Sequence, residues 1–195
     1  MSPLARPSED LTHFPAFALR AGEILFRIHR ADRGPWRFGS TGAGRFDLSP
    51  PRGTCYLAED PLGAFVEVFR EAHLVPEEAV RRRVQSHLGL PRPLRLADCA
   101  ARKSRMFGVT AAIHSTSDFA LTGAWAAAFA TAGFDGLRYL LSHDPAQRLV
   151  GYALFGDAGE AHDAETWPPG EAREIGVEVL ARARRQFGFL IVPAR

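Results

Sequence analysis

The sequence predicts an α+β fold, because its predicted strands are scattered among helices without the regular rhythm of a doubly wound sheet. Two segments carry most of this prediction. Residues 24–29 alternate in polarity as a strand does, with Ile28 on the face opposite Arg27. Asp60 and Pro61 suit a helix N-cap and a first helical position, and an apolar stripe follows them.

The remaining elements follow from the same rules of periodicity and capping. Further strands are predicted at 54–58, 94–97, 136–141, 150–155 and 187–192. Further helices are predicted at 76–88, from the cap 117–118 to Gly133, and at 171–186. The segments 31–53, 142–148 and 157–170 are predicted loops, and long loops within a domain are often functional.

A chain of 195 residues is long enough for one well-buried domain. Residues 1–22 are polar and contain proline, so we expect them to be a loosely held lead-in. We expect residues 23–195 to form the single domain. The sequence has neither a secretory signal nor an apolar run long enough for a bilayer, which predicts a cytoplasmic protein without a membrane partner.

Several common sites are excluded by the absence of their motifs. No P-loop, dinucleotide-binding glycine pattern or Gly-x-Ser-x-Gly elbow is present. The seven histidines lack metal-ligand spacing, so no metal site is expected. Cys55 and Cys99 lack a Cys-x-x-Cys spacing and are predicted to be buried free thiols.

From pattern alone, ordinary structural interpretations account for four polar residues: Arg27, Tyr56, Glu67 and Ser142. Arg27 is a charge on an apolar strand, suited either to a structural ion pair or to an anion clamp. Glu67 lies off the apolar stripe of its helix, which predicts a solvent-exposed side chain. Ser142 begins a polar loop and suits a turn. Tyr56 lies on a predicted strand and suits the core.

Three segments in order along the chain carry a resemblance to a known family. They are Leu25-Phe26-Arg27-Ile28-His29, Gly53-Thr54-Cys55-Tyr56-Leu57-Ala58 with the helix that bears Glu67, and Gly133-Phe134-Asp135-Gly136-Leu137-Arg138-Tyr139 leading to Ser142. Together they resemble the RES-domain family over about residues 24–156. The resemblance implies an ADP-ribosyltransferase-like fold, with two small twisted sheets and flanking helices around an NAD cleft.

The resemblance also implies a chemistry, the cleavage of the nicotinamide–ribose bond of NAD. NAD is then a substrate, and no cofactor is expected. Arg27, Glu67 and Ser142 are the implied catalytic residues. Glu67 would stabilise the positive ribose, Arg27 would hold phosphate or ribose groups, and Arg45 would be a second phosphate contact. Tyr56 would stack on or bound the nicotinamide, and Ser142 would bind the nicotinamide ribose or amide.

The acceptor remains open between water, inorganic phosphate and a protein side chain. RES toxins are usually neutralised by an Xre-like antitoxin, so such a protein is the expected partner, and contact with nucleic acid is expected only through it. Two other classes remain open: a catalytically silent RES-like module that binds NAD or protein, and a nucleic-acid binder using the basic clusters 81–83 and 182–185. Asp47 stands where many RES toxins have an amide.

Overall fold

The structure is a computed structural model that describes residues 4–70 and 72–193. Eight strands form one mixed sheet in the order β1-β7-β8-β9-β4-β2-β6-β11. They are β1 Ala16–Leu19, β2 Ile24–Arg30, β4 Arg52–Ala58, β6 Arg83–Gly89, β7 Leu94–Asp98, β8 Gly136–Leu140, β9 Val150–Asp157 and β11 Glu171–Arg173. Two short sheets pair β3 Arg37–Phe38 with β10 Gly159–Glu160, and β5 Leu74–Pro76 with β12 Leu190–Val192.

Helices flank this sheet, which confirms the α+β class. They are α1 Pro61–Phe69, α2 Glu77–Arg81, α3 Ala112–Ser115, α4 Phe119–Thr131 and α5 Val177–Phe187, with a 3-10 helix at Arg102–Phe107. The ends of α4 follow the sequence signals. The Asp118 side chain accepts a hydrogen bond from the Leu121 amide at 3.0 Å, and Gly133 takes a positive φ of 78° just beyond the helix.

The large sheet is divided into two halves that meet at one point. β4 pairs with β9 along its whole length, from Arg52 opposite Asp157 to Ala58 opposite Gly151. In contrast, β2 and β4 pair only through Phe26 and Ala58. The two twisted sheets implied by the resemblance are therefore two halves of one hydrogen-bonded sheet, and a gap opens where β2 and β4 diverge.

Helix α1 packs over this gap because its N-terminus is fixed and its apolar side is buried. The Asp60 side chain accepts a hydrogen bond from the Leu62 amide at 2.7 Å and pairs with Arg182 of α5 at 2.9 Å. Phe65 and Phe69 are buried in a core cluster shared with β2 and α5. The predicted N-cap at Asp60 is confirmed.

Two predicted helices are wrong in part. Within 76–88, α2 ends at Arg81 and the strand β6 follows, because its residues pair with β2 and bury alternate side chains such as Ser86 and Leu88. Glu- and Arg-rich composition favoured a helix, but the neighbouring strand decides the conformation. In the tail, residues 171–173 form the edge strand β11 and helix α5 begins only at Val177.

The segment expected as a loosely held lead-in is packed against the domain where it is described. β1 pairs with β7, and Leu11 and Phe14 are buried in the core around α4. Cys55 and Cys99 are buried and free, as predicted. None of the described helices has the length and apolar character needed to cross a bilayer.

Candidate active site

The gap between β2 and β4 forms a pocket of about 150 Å3 beneath α1. Arg27 of β2, Tyr56 of β4 and Glu67 of α1 all line this pocket, together with Phe26 and Ala58, which form the single β2–β4 pair. Because the strands separate beyond that pair, side chains from both reach the same opening. Three of the residues singled out in the sequence therefore meet at one place.

A second pocket of about 310 Å3 adjoins the first and shares Arg27 and Glu67 with it. Its other lining residues are mostly basic: His29, Arg30, Arg33, Arg37, Arg70 and Arg83. A groove lined by several guanidinium groups attracts anions, and their planar fork suits phosphate oxygens. The resemblance pointed to none of these six, although the i, i+3 spacing of Glu67 and Arg70 places both on one helix face.

Glu67 is not the solvent-exposed side chain that helix periodicity predicted. It is half-buried, since α1 covers the gap between the strands. Burial raises the pKa of its carboxyl, and the charges of Arg70 and Arg45 oppose that rise. Among the described residues none donates a hydrogen bond to this carboxylate, so its oxygens remain available in the pocket.

Arg27 is fixed by contacts with the neighbouring loop and strand. Its Nη1 donates to the carbonyl oxygens of Pro35 and Arg37, the latter at 3.2 Å, and lies 3.0 Å from Sγ of Cys55. Within the described part of the chain Arg27 has no acidic partner. The structural ion pair considered from the sequence is therefore absent there, and the guanidinium is held by neutral groups.

Tyr56 is held by the loop that precedes its strand. Its hydroxyl donates to Oδ1 of Asp47 at 2.9 Å and accepts from the amide of Phe46 at 2.8 Å. The other oxygen of Asp47 accepts from the amide of Gly44 at 3.1 Å. Burial, and next the charge of Asp47, raise the pKa of Tyr56 well above its usual value. The hydroxyl is thus occupied, and Asp47 positions the ring.

Arg45 approaches the same site from the loop side. It donates to the carbonyl oxygen of Thr116, and its guanidinium carbon lies 5.3 Å from the centre of the Phe119 ring. Burial lowers the pKa of Arg45, and the strongest opposing charge is that of Glu67. Arg45 is therefore anchored near α4 while its charge acts on the Glu67 carboxylate.

Ser142, like Arg45, is a predicted site residue that lines neither of the two pockets. Ser142 is half-buried in the turn after β8. Tyr139 of β8 also lines neither pocket, but its phenol lies within the electrostatic influence of Glu67. Burial, and next the charges of Glu67 and Tyr56, raise its pKa well above the usual value. The resemblance led to Ser142 and did not indicate Tyr139.

The described residues contain no cluster of three or more His, Cys, Asp and Glu side chains suited to a metal ion. Of the six arginines in the basic clusters considered for nucleic-acid binding, three are paired with acidic residues among the described residues. Arg81 lies 2.6 Å from Glu77, Arg82 pairs with Glu78, and Arg182 is bound to Asp60. Exposed pairs of this kind are typical of solvated helix faces.

Comparison with known proteins places the chain in a family. A chain of the M. tuberculosis MbcT–MbcA toxin–antitoxin complex has a TM-score of 0.63, with 16% identity over 85% of this chain and 92% of that chain. At this identity the likeness shows the fold alone. A search of curated proteins gives no significant match. The family model described as RES domain matches residues 24–187, beyond the end of the resemblance at about residue 156. The chain belongs to the RES-domain family.

Proposed function

We propose that this protein is an NAD-degrading toxin that cleaves the nicotinamide–ribose bond. The observation that carries the proposal is the half-buried carboxylate of Glu67, which faces Tyr56 and Arg27 across one pocket. Membership of the RES-domain family supports NAD as the substrate. The adjoining groove offers a pyrophosphate the charges of Arg33, Arg70 and Arg83, which have no acidic partner among the described residues. Arg30 and Arg37 of the same groove pair with Asp32 and Glu160.

Cleavage of the nicotinamide–ribose bond requires stabilisation of a positively charged ribose. When the bond to nicotinamide breaks, nicotinamide leaves with the electron pair and the ribose carbon becomes positive. A fixed carboxylate beside that carbon stabilises the developing charge, and its effect is large in a site that excludes water. Arg45 and Arg70 lower the pKa of Glu67 against the effect of burial, which favours the ionised form that this role needs.

The acceptor oxygen then bonds to the ribose carbon and releases its proton to solvent. Water as acceptor makes the enzyme a glycohydrolase, and inorganic phosphate makes it a phosphorylase. Arg27 and Arg45 are proposed to hold phosphate or ribose groups, and Tyr56 to bound the nicotinamide. Ser142 is proposed to bind the nicotinamide ribose or amide, and this role rests on the resemblance alone.

A protein antitoxin of the Xre-like class is the proposed partner. The matched chain comes from a toxin–antitoxin complex, which supports a protein antitoxin as the partner. We propose that this antitoxin covers the pocket lined by Arg27, Tyr56 and Glu67. Direct binding to nucleic acid is not proposed, because the net charge of the chain is only +2 and acidic residues pair with Arg81, Arg82 and Arg182 of the basic clusters. A nucleic-acid contact would come through the antitoxin.

The direct test measures nicotinamide released from NAD by the purified protein, with and without added phosphate. Glu67→Gln should lose on the order of a hundredfold in turnover. Glu178→Gln is a matched control, since Glu178 is exposed on α5, and its turnover should equal that of the wild type. Intact NAD after long incubation in both conditions would overturn the proposal.

A cellular test examines the toxin role. Expression of the wild type should deplete NAD and stop growth, expression of Glu67→Gln should do neither, and a cognate antitoxin should restore both. Equal growth arrest by the two proteins with unchanged NAD would show that the arrest does not come from this site.

The alternative is a catalytically silent module that binds NAD or another protein. The contacts of Arg27 favour it, because a guanidinium bound to Pro35, Arg37 and Cys55 also has a structural role. A silent module should show a thermal shift with an unreactive NAD analogue but release no nicotinamide. A ligand at about 100 times its dissociation constant adds roughly 2.7 kcal/mol of stability, which such a titration detects.

A further inference from the structure

The hydroxyl of Tyr139 is a buried polar group that the proposed function does not yet use. Tyr139 lies on β8 and is 3% exposed. Its hydroxyl has no hydrogen-bond partner in the described part of the chain. A buried hydroxyl without a partner is destabilising, and a phenylalanine of nearly the same shape would avoid that penalty. The Tyr139 hydroxyl would therefore be stabilised by a hydrogen-bond acceptor.

The ring of Tyr139 points towards the pocket that Glu67 lines. Tyr139, Gly151, Ala58 and Phe26 form one row across β8, β9, β4 and β2. A Cβ atom at Gly151 would lie 2.5 Å from Cζ of Tyr139, so the tip of the ring lies over this glycine. The next two residues in the row, Ala58 and Phe26, line the pocket. The Tyr139 hydroxyl therefore extends past Gly151 towards Ala58, at the edge of the pocket that Glu67 lines.

The neighbours of Tyr139 belong to the same site. Its ring centre lies 5.0 Å from that of Phe46, whose amide donates to the hydroxyl of Tyr56. Burial, followed by the charges of Glu67 and Tyr56, raises the pKa of Tyr139, so its hydroxyl keeps its proton and stays a donor. The hydroxyl of Tyr56 already donates its hydrogen bond to Asp47. Of these two phenols, only Tyr139 has a donor without a partner in the described part of the chain.

We propose that Tyr139 is a positioning residue whose hydroxyl donates a hydrogen bond to the Glu67 carboxylate when NAD occupies the pocket. This inference rests on the proposed function. Neither group has a hydrogen-bond partner among the described residues, so a hydrogen bond between them in the NAD-bound state would satisfy both. The bond holds the carboxylate in place against the ribose and favours its ionised form. The other groups that face Glu67 are Arg27, Arg45, Tyr56 and Arg70.

Tyr139→Phe tests the inference, with Tyr152→Phe as the matched control. Tyr152 is also buried, and its hydroxyl also lacks a partner within hydrogen-bond distance although Arg138 is near. It lies on the other face of the sheet, in the core with Leu57 and Leu154. Both variants remove an orphaned hydroxyl from the core, so neither should lower the Tm. Only Tyr139→Phe should affect the reaction.

The expected kinetic result is specific to a positioning role. Tyr139→Phe should lower kcat about ten- to a hundredfold, the loss typical of one hydrogen bond to a charged group, with little change in KM. The acid limb of the pH profile should move up by about one pH unit, because the loss of a donor raises the pKa of the Glu67 carboxyl. Tyr152→Phe should keep the wild-type kcat and pH profile.

A second measurement does not need turnover. The Glu67 carboxyl can be titrated by NMR in protein with labelled glutamate and an unreactive NAD analogue, using Glu67→Gln to assign its signal. Its pKa should be higher in Tyr139→Phe than in the wild type. An unchanged titration together with a wild-type pH profile would overturn the inference. A wild type that releases no nicotinamide would refute the proposed function, and the titration would still decide the contact between Tyr139 and Glu67.

Discussion

Asp47 holds Tyr56 in place through a hydrogen bond of 2.9 Å from the phenol to Oδ1, while its Oδ2 accepts from the amide of Gly44. In the sequence, Asp47 is only a departure from the amide that many RES toxins have at this position. In this fold it ties the loop before β4 to a residue of the pocket. The two donors face different oxygens of Asp47, so in an asparagine at this position one of them would face the NH2 group, which cannot accept.

This relationship predicts strong coupling between the two side chains. Asp47→Ala and Tyr56→Phe should each destabilise the protein, since each removes the same hydrogen bond. The double variant should be less destabilised than the sum of the two, by about 0.5–3 kcal/mol. Urea unfolding of the four proteins measures this difference, and simple additivity would show that the bond contributes nothing to stability.

Glu67→Gln should be at least as stable as the wild type at pH 7. The folded pKa of Glu67 is raised by burial, so the folded state binds its proton more tightly than the unfolded chain does. The wild type therefore loses stability as pH rises from the usual carboxyl pKa of 4.5 through the folded pKa. Thermal unfolding from pH 4 to pH 8 should show the Tm advantage of Glu67→Gln disappearing below about pH 4.5. A lower Tm for the variant at pH 7 would contradict the destabilising burial of this charge.

Gly151→Ala should destabilise the protein and disturb the site. The added Cβ would lie 2.5 Å from Cζ of Tyr139 and 2.7 Å from Cδ2 of Leu141, and overpacking of this kind costs about 1–3 kcal/mol. Gly89→Ala is the control, because its Cβ would meet only Cδ1 of Ile24 at 3.6 Å, an ordinary contact. Equal Tm values for the two variants would show that the ring of Tyr139 moves aside without penalty.

The free energy of unfolding should fall in mild acid because His114 is buried in its neutral form. It is 6% exposed, and burial, with a smaller contribution from Arg45, lowers its pKa to about 4. The unfolded chain takes up a proton near the usual histidine pKa of 6.5 and the folded protein does not, so stability falls as pH drops from 6.5 towards 4. A shift of this size corresponds to about 3 kcal/mol.

His114→Gln provides the comparison for that pH dependence. It keeps a side chain able to accept from the amide of Leu140, which donates to His114 at 3.4 Å, but it cannot be protonated. Urea unfolding at pH 7.5, 5.5 and 4.5 should show the wild type losing more stability than the variant. Parallel curves for the two proteins would show that His114 titrates normally in the folded state.

The sequence alone determined those parts of the molecule whose signals are local. The polar alternation of residues 24–29 gave β2, and Asp60 with Pro61 gave the start of α1, since capping and side-chain alternation depend only on nearby residues. The order of segments around Arg27, Tyr56 and Glu67 sufficed to indicate the RES-domain family, which the family comparison confirms.

Only the tertiary structure decided what these side chains do for one another. Periodicity predicted an exposed Glu67, but the divergence of β2 and β4 beyond Phe26 and Ala58 creates the gap that α1 covers and half-buries it. Pairing with β2 makes residues 83–89 a strand. The pairing of β8 with β9 places the ring of Tyr139 over Gly151, and Ser142 lies in the turn beyond β8, outside both pockets. Burial and electrostatic environment depend on residues distant in sequence, so no local pattern specifies them.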